Sequence, residues 1–163
     1  MIDPNSPEAY EDYRAKYGPG PFITCDAVVT RGGPDAGSWD ILLINRKKLP
    51  FTGVLAIPGG FMEPDDPDLI SGAIRECEEE TNLILERSWY RETLVLDGPR
   101  RDPRARIVGV ASRFELPPGA HGNEIMAKDD AQSVDWYDVR TILALPNSNF
   151  AFDHGATIKR FLS

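Results

Sequence analysis

The chain has 163 residues, of which 41% are hydrophobic and 27% are charged, a composition that suits one soluble domain expected to comprise residues 1–163. No apolar run approaches the roughly 20 residues that span a bilayer, so no membrane partner is expected. The N-terminus lacks the pattern of a secretory signal, and only Cys25 and Cys77 occur, so the expected setting is the cytoplasm. The net charge of −8 argues against nucleic acid as a partner and suits carboxylates that surround divalent cations.

The N-terminal segment is expected to contain a short helix that begins near Ser6. Tyr10, Tyr13 and Tyr17 fall on one side of this helix. We interpret this aromatic stripe as a docking face, with stacking on an adenine as the alternative. The turn-forming sequence of residues 18–21 ends the helix.

Runs rich in β-branched and aliphatic residues predict strands at 22–30, 39–46, 83–96, 105–116 and 134–137. The first two flank a loop containing Gly and Pro and are expected to pair. A central helix is predicted from about residue 67 to 82, and a terminal helix from about Phe152. Strands grouped around one central helix predict an α/β protein, in which helices cover a sheet of mixed strand direction.

Two segments, 97–104 and 117–132, are too polar and too rich in Pro and Gly to form strands. They are expected to be loops that border a substrate cleft, because recognition groups tend to lie on loops held by a rigid scaffold. The sequence contains no internal repeat.

Carboxylates gather on one face of the predicted central helix. At about 100° per residue, Glu76, Glu79 and Glu80 fall on one side, whereas Glu78 points to solvent. The adjacent side, which is expected to pack against the core, comprises Ile70, Ala73, Ile74, Cys77 and Ile84. Because Glu76 and Glu80 are one turn apart, their carboxylates can meet over one point.

Like charges at this spacing repel each other, and a hard divalent cation would turn that repulsion into coordination because it prefers oxygen ligands. Arg75 can pair with a neighbouring acid and hold it in one rotamer. The glycines of 58–60 allow close backbone approach, so a carbonyl there could complete the metal shell. The alternative interpretation is an acidic helix that is merely exposed to solvent.

The segment from Gly60 to Leu83 resembles the Nudix box, Gly-x5-Glu-x7-Arg-Glu-U-x-Glu-Glu-x-Gly-U, in which U is aliphatic. Asp66 stands where the box has its first Glu, and one extra residue separates it from the Arg of the box. That insertion leaves the role of Asp66 open, with Asp65 or Asp68 as substitutes. Asn82 replaces the final Gly, a mild change because Asn tolerates the left-handed conformation that ends helices.

The similarity to the ADP-ribose pyrophosphatase-like branch of the family extends over 22–29, 46–47, 50–53, 57–61, 101–104, 129–131 and 151–154. It implies a Nudix-type α/β/α sandwich with a mixed central β-sheet. It also implies hydrolysis of a phosphoanhydride bond in a nucleoside diphosphate linked to a second group, with ADP-ribose to AMP and ribose 5-phosphate as the leading reaction. The branch includes transcriptional regulators and enzyme fusions, and a chain that ends at Ser163 is expected to be a stand-alone catalyst. Similar proteins are commonly homodimers, so a homodimer is expected.

The resemblance also implies a cofactor and the residues that hold it. The cofactor is Mg²⁺ or Mn²⁺, with Glu76 and Glu80 as direct ligands, Glu79 as a further ligand or a base, and the Gly60 carbonyl beside them. Arg75 belongs to the same catalytic group. A separate general base could come from the loop at 117–132, where the candidates are Glu124, Asp129 and Asp130.

Basic residues supply candidates for substrate binding. Arg101, Arg104 and Arg106 could clamp phosphate or a terminal ribose, because guanidinium groups match anionic oxygens, although surface ion pairing is an equally good interpretation. Arg46 and Lys47, which follow a strand, invite the same comparison.

Three further side chains are given structural roles. His154 is predicted to be a structural hydrogen-bonding residue, and His121 to face solvent. Cys77 is predicted to pack in the helix rather than act as a nucleophile, because no paired histidine is indicated.

Two alternative functions stay open. One is a Nudix enzyme that acts on nucleoside triphosphates, NADH or coenzyme A. The other is a module that senses ADP-ribose without cutting it, against which the complete acidic helix face argues.

Overall fold

The structure, a computed structural model, describes residues 20–120 and 123–163, together with Ala15 and Gly18. The predicted N-terminal helix with its tyrosines lies outside the described residues, as does His121. No helix in the described part of the chain is both long enough and apolar enough to cross a membrane.

In the part of the chain that the structure describes, seven strands form one mixed sheet. Their bounds are β1 Phe22–Gly32, β2 Trp39–Arg46, β3 Leu55–Ala56, β4 Gly59–Phe61, β5 Tyr90–Leu96, β6 Ile107–Leu116 and β7 Ala131–Asp138. The strand order is β3-β2-β1-β6-β5, with β4 also paired to β1 and β7 to β2. β1 and β6 run parallel, whereas the other named strands pair antiparallel, which confirms the predicted mixed sheet.

Within the described residues, three α-helices flank the sheet: α1 Leu69–Thr81, α2 Val139–Ala144 and α3 His154–Leu162. Helix α1 begins after Asp68, whose side chain accepts a hydrogen bond from the Ser71 amide at 2.8 Å. It ends at Asn82, which has a φ of 65°, in the left-handed region that Asn tolerates at the end of a helix.

Alternating side chains of β1 assign the helices to opposite faces of the sheet. Cys25, Ala27 and Val29 pack in the same core as residues of α1, whereas Val28 packs in a second core with residues of α2 and α3. Successive side chains of a strand point to opposite faces, so β1 separates the two cores. The fold is therefore the predicted α/β/α sandwich.

The predicted strand at 83–96 is wrong in its first half. Leu83 and Leu85 are buried and Ile84 is 53% exposed, which gives the alternation of a strand. The Ile84 amide, however, donates to the side chain of Asn123 at 2.8 Å and not to a neighbouring strand. A 3-10 turn at Arg87–Trp89 follows before β5 begins. Ile84, predicted to share the packed helix face, thus lies beyond the end of α1.

Four short features escaped prediction. The strands β3 and β4 have two and three residues, and α2 has six, so each is too short to display a period. In addition, the first two residues of β7 fall in the segment predicted as a loop. Pairing with β2 over seven residues extends this strand beyond the apolar run at 134–137.

Candidate active site

A cleft of about 320 Å³ opens beside β1, β4 and α1. Its lining combines carboxylates with three arginines and two aromatic rings. The lining residues are Thr24, Asp26, Arg46, Ile57, Gly59, Gly60, Phe61, Glu63, Glu76, Glu80, Arg101, Asp102, Arg104, Asp130, Phe152 and His154. The structure thus brings together most of the site residues that the sequence predicted, from segments far apart in the chain.

Glu80 is the buried carboxylate of the cleft. It is 5% exposed, and its Oε2 accepts a hydrogen bond from the Gly59 amide at 3.0 Å. Burial raises the pKa of Glu80 to about 8; the Gly59 N–H opposes this shift, and the Glu76 and Asp130 charges add to it. The cleft therefore holds an acid whose charge is poorly compensated by the protein.

Glu76 lies one turn before Glu80 and reaches the same cleft. A Cβ on Gly60 would lie 2.5 Å from Glu76 Oε2, so only glycine lets this carboxylate approach the backbone of β4 so closely. Burial raises the pKa of Glu76, although its hydrogen bond with Arg75 lowers it. Two neighbouring carboxylates therefore share one poorly solvated space.

Arg75 fixes the loop before α1 to the acidic helix. Its Nε and Nη2 donate to the two carboxylate oxygens of Asp66, each at 2.8 Å, and Nη1 donates to Glu76 Oε1 at 2.7 Å. Nη2 also donates to the Phe61 carbonyl at 3.0 Å. Asp66 thus orients Arg75 and lies outside the cleft lining. The extra residue in the box does not prevent this contact.

Glu79 does not join the cleft lining in the described structure. Its side chain is 44% exposed, and Arg75 Nη1 donates to it at 3.2 Å. Packing of Ala73 and Cys77 against the sheet turns Glu80 into the cleft, and the next position on the helix, about 100° away, faces outward. Glu76 and Glu80 thus line the cleft together, and the role of Glu79 as a further ligand or a base stays a prediction.

Asp26 is a site residue that the sequence reasoning missed. It is 5% exposed, and its Oδ2 is buried without a hydrogen-bond partner among the residues described. Burial raises the pKa of Asp26 to about 7, although the Arg101 charge lowers it. The available signal was a lone acid within the apolar run of β1, because an unpaired buried carboxylate is costly and needs a reason.

Three of the four predicted binding arginines line the cleft. Arg101 forms a two-bond pair with Asp153, at 2.9 and 2.7 Å, and Arg104 a similar pair with Asp102. Arg106 is exposed and outside the lining; it precedes β6, where its carbonyl accepts from the Phe22 amide. Lys47 likewise contributes no lining surface.

The three candidates for a general base, which the sequence left open, lie in different places in the structure. Asp130 lies in the cleft lining and pairs with Lys48. Glu124 is outside the lining, where its carbonyl accepts a hydrogen bond from the Asn82 side chain, and Asp129 is outside it as well. Asp130 is thus the candidate that the fold brings to the carboxylates.

His154 and Cys77 have the packing roles that were predicted. His154 is buried, and its Nδ1 accepts a hydrogen bond from the Ile57 amide at 3.0 Å. Burial lowers the pKa of His154 to about 3, so the ring is neutral and supports the backbone beside the cleft. Cys77 is fully buried, and burial raises the pKa of its thiol to about 12, which leaves no thiolate for nucleophilic chemistry.

The donor set suits a hard divalent cation. Glu76, Glu80 and the backbone of Gly60 offer oxygen donors, and in the same cleft Asp26 Oδ2 is buried without a hydrogen-bond partner among the described residues. Within residues 20–120 and 123–163, no three Asp, Glu, His or Cys side chains already surround a common ion position. Two carboxylates with a carbonyl and water are therefore the arrangement that fits.

Gly59 offers a test of how tightly this site is built. A Cβ at this position would lie 2.2 Å from Asp26 Oδ1 and 2.8 Å from the backbone of Cys25 and Asp26. Gly59→Ala should therefore lower the free energy of unfolding by about 1–3 kcal/mol and reduce activity, because backbone must move. Gly33→Ala is the matched control, since nothing lies within 4 Å of its Cβ position. Equal melting temperatures for the two variants would contradict the prediction.

Comparison with known proteins places this geometry in a family. The Nudix domain model matches residues 22–161. An ADP-ribose pyrophosphatase of Methanocaldococcus jannaschii is 32% identical over 143 residues, which make up 87% of this chain and 73% of that protein. The ADPR responsive transcriptional repressor NtrR of Acinetobacter baylyi is 28% identical over 83% of this chain, which spans about half of the repressor (51%).

A solved structure shares the fold and carries ligands. It is a bifunctional NMN adenylyltransferase/ADP ribose pyrophosphatase from Francisella tularensis, complexed with AMP and a Mn ion. The TM-score is 0.72 at 30% identity, over 95% of this chain and 45% of that chain. The domain match, the M. jannaschii relative and the shared fold agree, and the chain therefore belongs to the Nudix hydrolase family.

Proposed function

We propose that this protein hydrolyses the phosphoanhydride bond of ADP-ribose, with water, to AMP and ribose 5-phosphate. One observation carries the proposal: Glu76 and Glu80 lie in the same cleft as Arg46, Arg101 and Arg104. A diphosphate needs cationic groups to bind it and a metal centre to activate it, and this cleft offers residues for both. The M. jannaschii relative, named an ADP-ribose pyrophosphatase, supports the choice of substrate.

Glu76 and Glu80 would hold the cation, with the Gly60 carbonyl as a further ligand. When bound there, a divalent cation supplies Lewis acidity, which makes water more acidic and offsets the charge of the phosphates. The Gly59 amide orients Glu80, and Arg75 orients Glu76, so neither carboxylate needs to reorganise to bind.

The arginines and Asp130 complete the proposed roles. Arg101 and Arg104 are held by Asp153 and Asp102, which prepares both guanidiniums to bind a diphosphate. Asp130, the loop carboxylate that lies in the cleft lining, would act as the general base and take a proton from the attacking water. We propose no chemical step for Arg106, which lies outside the cleft lining.

Product analysis tests the proposal directly. The protein is incubated with ADP-ribose and Mg²⁺, and the products are separated by chromatography. We expect equal amounts of AMP and ribose 5-phosphate, no turnover in EDTA, and recovery when Mg²⁺ or Mn²⁺ is restored. A parallel panel contains a nucleoside triphosphate, NADH and coenzyme A, and faster turnover of any of these would replace ADP-ribose as the substrate.

A sensing module is the second candidate function, because the NtrR repressor is a relative of this chain. Binding of ADP-ribose by calorimetry, with no product formed under any metal condition, would favour sensing. The pair Glu76 and Glu80 in the cleft supports hydrolysis instead, since a module that only binds ADP-ribose does not need a metal centre that activates water.

We propose in addition that the cofactor is Mg²⁺ or Mn²⁺ and that the protein is a cytoplasmic homodimer. Both cysteines are free and buried, which suits a reducing compartment. Sedimentation equilibrium tests the dimer, and a monomeric mass at micromolar concentration would exclude it.

A further inference from the structure

The aromatic ring of Phe152 lies close to two of the cleft arginines. The Cζ atoms of Arg46 and Arg104 lie 5.2 and 5.1 Å from the centroid of the Phe152 ring. Cations at this distance from an aromatic ring are attracted to its electron-rich face. The ring also contacts Phe51 edge-on, at 4.9 Å between centroids.

The backbone of Phe152 is strained, with a φ of 50°. A non-glycine residue at positive φ is uncommon, and for a bulky residue it is an outlier that persists only where the surroundings enforce it. Glycine would adopt this conformation without strain, so we infer that the contacts of the Phe152 ring offset the cost of the backbone conformation. The residue lies at the start of the terminal element, directly before Asp153, which binds Arg101.

The two arginines that share the ring differ in how else they are held. Arg104 has a two-bond pair with Asp102, at 3.0 and 2.8 Å, and a second ring, Phe61, 5.2 Å away. The Arg46 side chain makes one hydrogen bond in the described structure, from its Nε to the Pro50 carbonyl at 2.9 Å, and it has no carboxylate within 4.0 Å among the described residues. Burial is the main cause that lowers the pKa of Arg46; the Glu80, Asp130 and Asp102 charges oppose this shift, and the Arg104 charge adds to it. The Phe152 ring is a group that lies close to both guanidiniums.

We propose that Phe152 is a positioning residue that holds the guanidiniums of Arg46 and Arg104 together as one binding surface for the diphosphate of the substrate. This inference rests on the proposed function, since it assumes an anionic diphosphate in the cleft. It assigns most of the effect of the ring to Arg46, because Arg104 keeps its carboxylate partner when the ring is lost.

The test measures KM and kcat for ADP-ribose hydrolysis, and the Kd for ADP-ribose in EDTA, where no turnover occurs. Phe152→Leu should raise KM and Kd roughly tenfold, as expected for loss of a cation–π contact in a desolvated cleft, while kcat changes less than about twofold. Phe152→Tyr keeps the ring face and should restore both constants. Fluorinated phenylalanine at position 152 keeps the shape and weakens the ring quadrupole, so KM should rise with each added fluorine even if the leucine variant folds poorly.

Double variants show which of the two arginines the Phe152 ring acts on. Phe152→Leu should add nothing to Arg46→Ala, whereas its effect should multiply with that of Arg104→Ala. Phe161→Leu is the matched control, because Phe161 lies outside the cleft lining and packs in a different core cluster from Phe152.

Unchanged KM and Kd in Phe152→Leu, or equal effects of Phe161→Leu, would overturn the inference. Failure of the wild-type protein to turn over ADP-ribose would instead contradict the proposed function, and the Kd values measured in EDTA would still decide the role of Phe152.

Discussion

Glu80→Gln is expected to reduce kcat for ADP-ribose hydrolysis at least about 100-fold, the largest effect of any single change. Glutamine keeps the size of the side chain, and its carbonyl can still accept the hydrogen bond from the Gly59 amide. What disappears is the negative charge that binds a divalent cation. The variant should therefore fold normally and bind Mn²⁺ more weakly, which steady-state kinetics and metal titration would measure.

Glu78→Gln is the matched control, because Glu78 lies two residues away on the exposed side of α1. It removes the same charge from the same helix and should leave activity within about twofold of wild type. If both variants lost activity equally, the effect would come from the net charge of the helix and not from a metal ligand in the cleft.

The pH dependence of stability provides an independent measure of Glu80. Burial raises its pKa from the usual 4.5 to about 8, so folding favours the protonated acid. Its contribution to stability is full below about pH 4.5 and is lost as pH rises through about 8. The metal-free wild type should therefore lose stability relative to Glu80→Gln across this range, as calorimetry in EDTA at about pH 5 and about pH 9 would record. A difference in melting temperature that does not change with pH would contradict a raised pKa.

Arg75→Ala is expected to lower the free energy of unfolding by about 3 kcal/mol and activity by at least about tenfold. Arg75 is 21% exposed and Asp66 only 6%, so removal of the guanidinium leaves a largely buried carboxylate without its partner. It also frees Glu76 from the orientation that Arg75 Nη1 imposes. Arg75→Lys should recover only part of the loss, because an ammonium group cannot form the two-bond pair with Asp66.

Arg87→Ala provides the control for this prediction. Arg87 makes a comparable two-bond contact with Asp68, at 3.1 and 2.9 Å, but the two side chains are 54% and 44% exposed. Exposed pairs contribute about 1 kcal/mol or less, so this variant should remain close to wild type in chemical denaturation. A larger loss in Arg87→Ala than in Arg75→Ala would show that burial does not decide the strength of these pairs.

The sequence by itself determined the acidic helix and the general architecture. Helical period placed Glu76 and Glu80 on one face and Cys77 on the other, since side-chain direction within a helix depends only on local geometry. Strand runs predicted β1 and β2 closely, because their buried positions form nearly continuous apolar segments. The α/β/α sandwich and the Nudix assignment came from the resemblance to the family, and both are confirmed.

Only the tertiary structure decided which side chains reach the cleft. The hydrogen bond between Gly59 and Glu80 spans 21 positions in sequence, and the pair of Arg101 and Asp153 spans 52. Periodicity could not separate Glu79 from Glu80, because that choice depends on how α1 is rotated against the sheet. Asp26 was marked only as a lone acid in an apolar run, and Phe152 gave no signal, since a ring close to two guanidiniums exists only after distant segments meet. Local geometry therefore determined which groups are available, and long-range packing determined which of them meet.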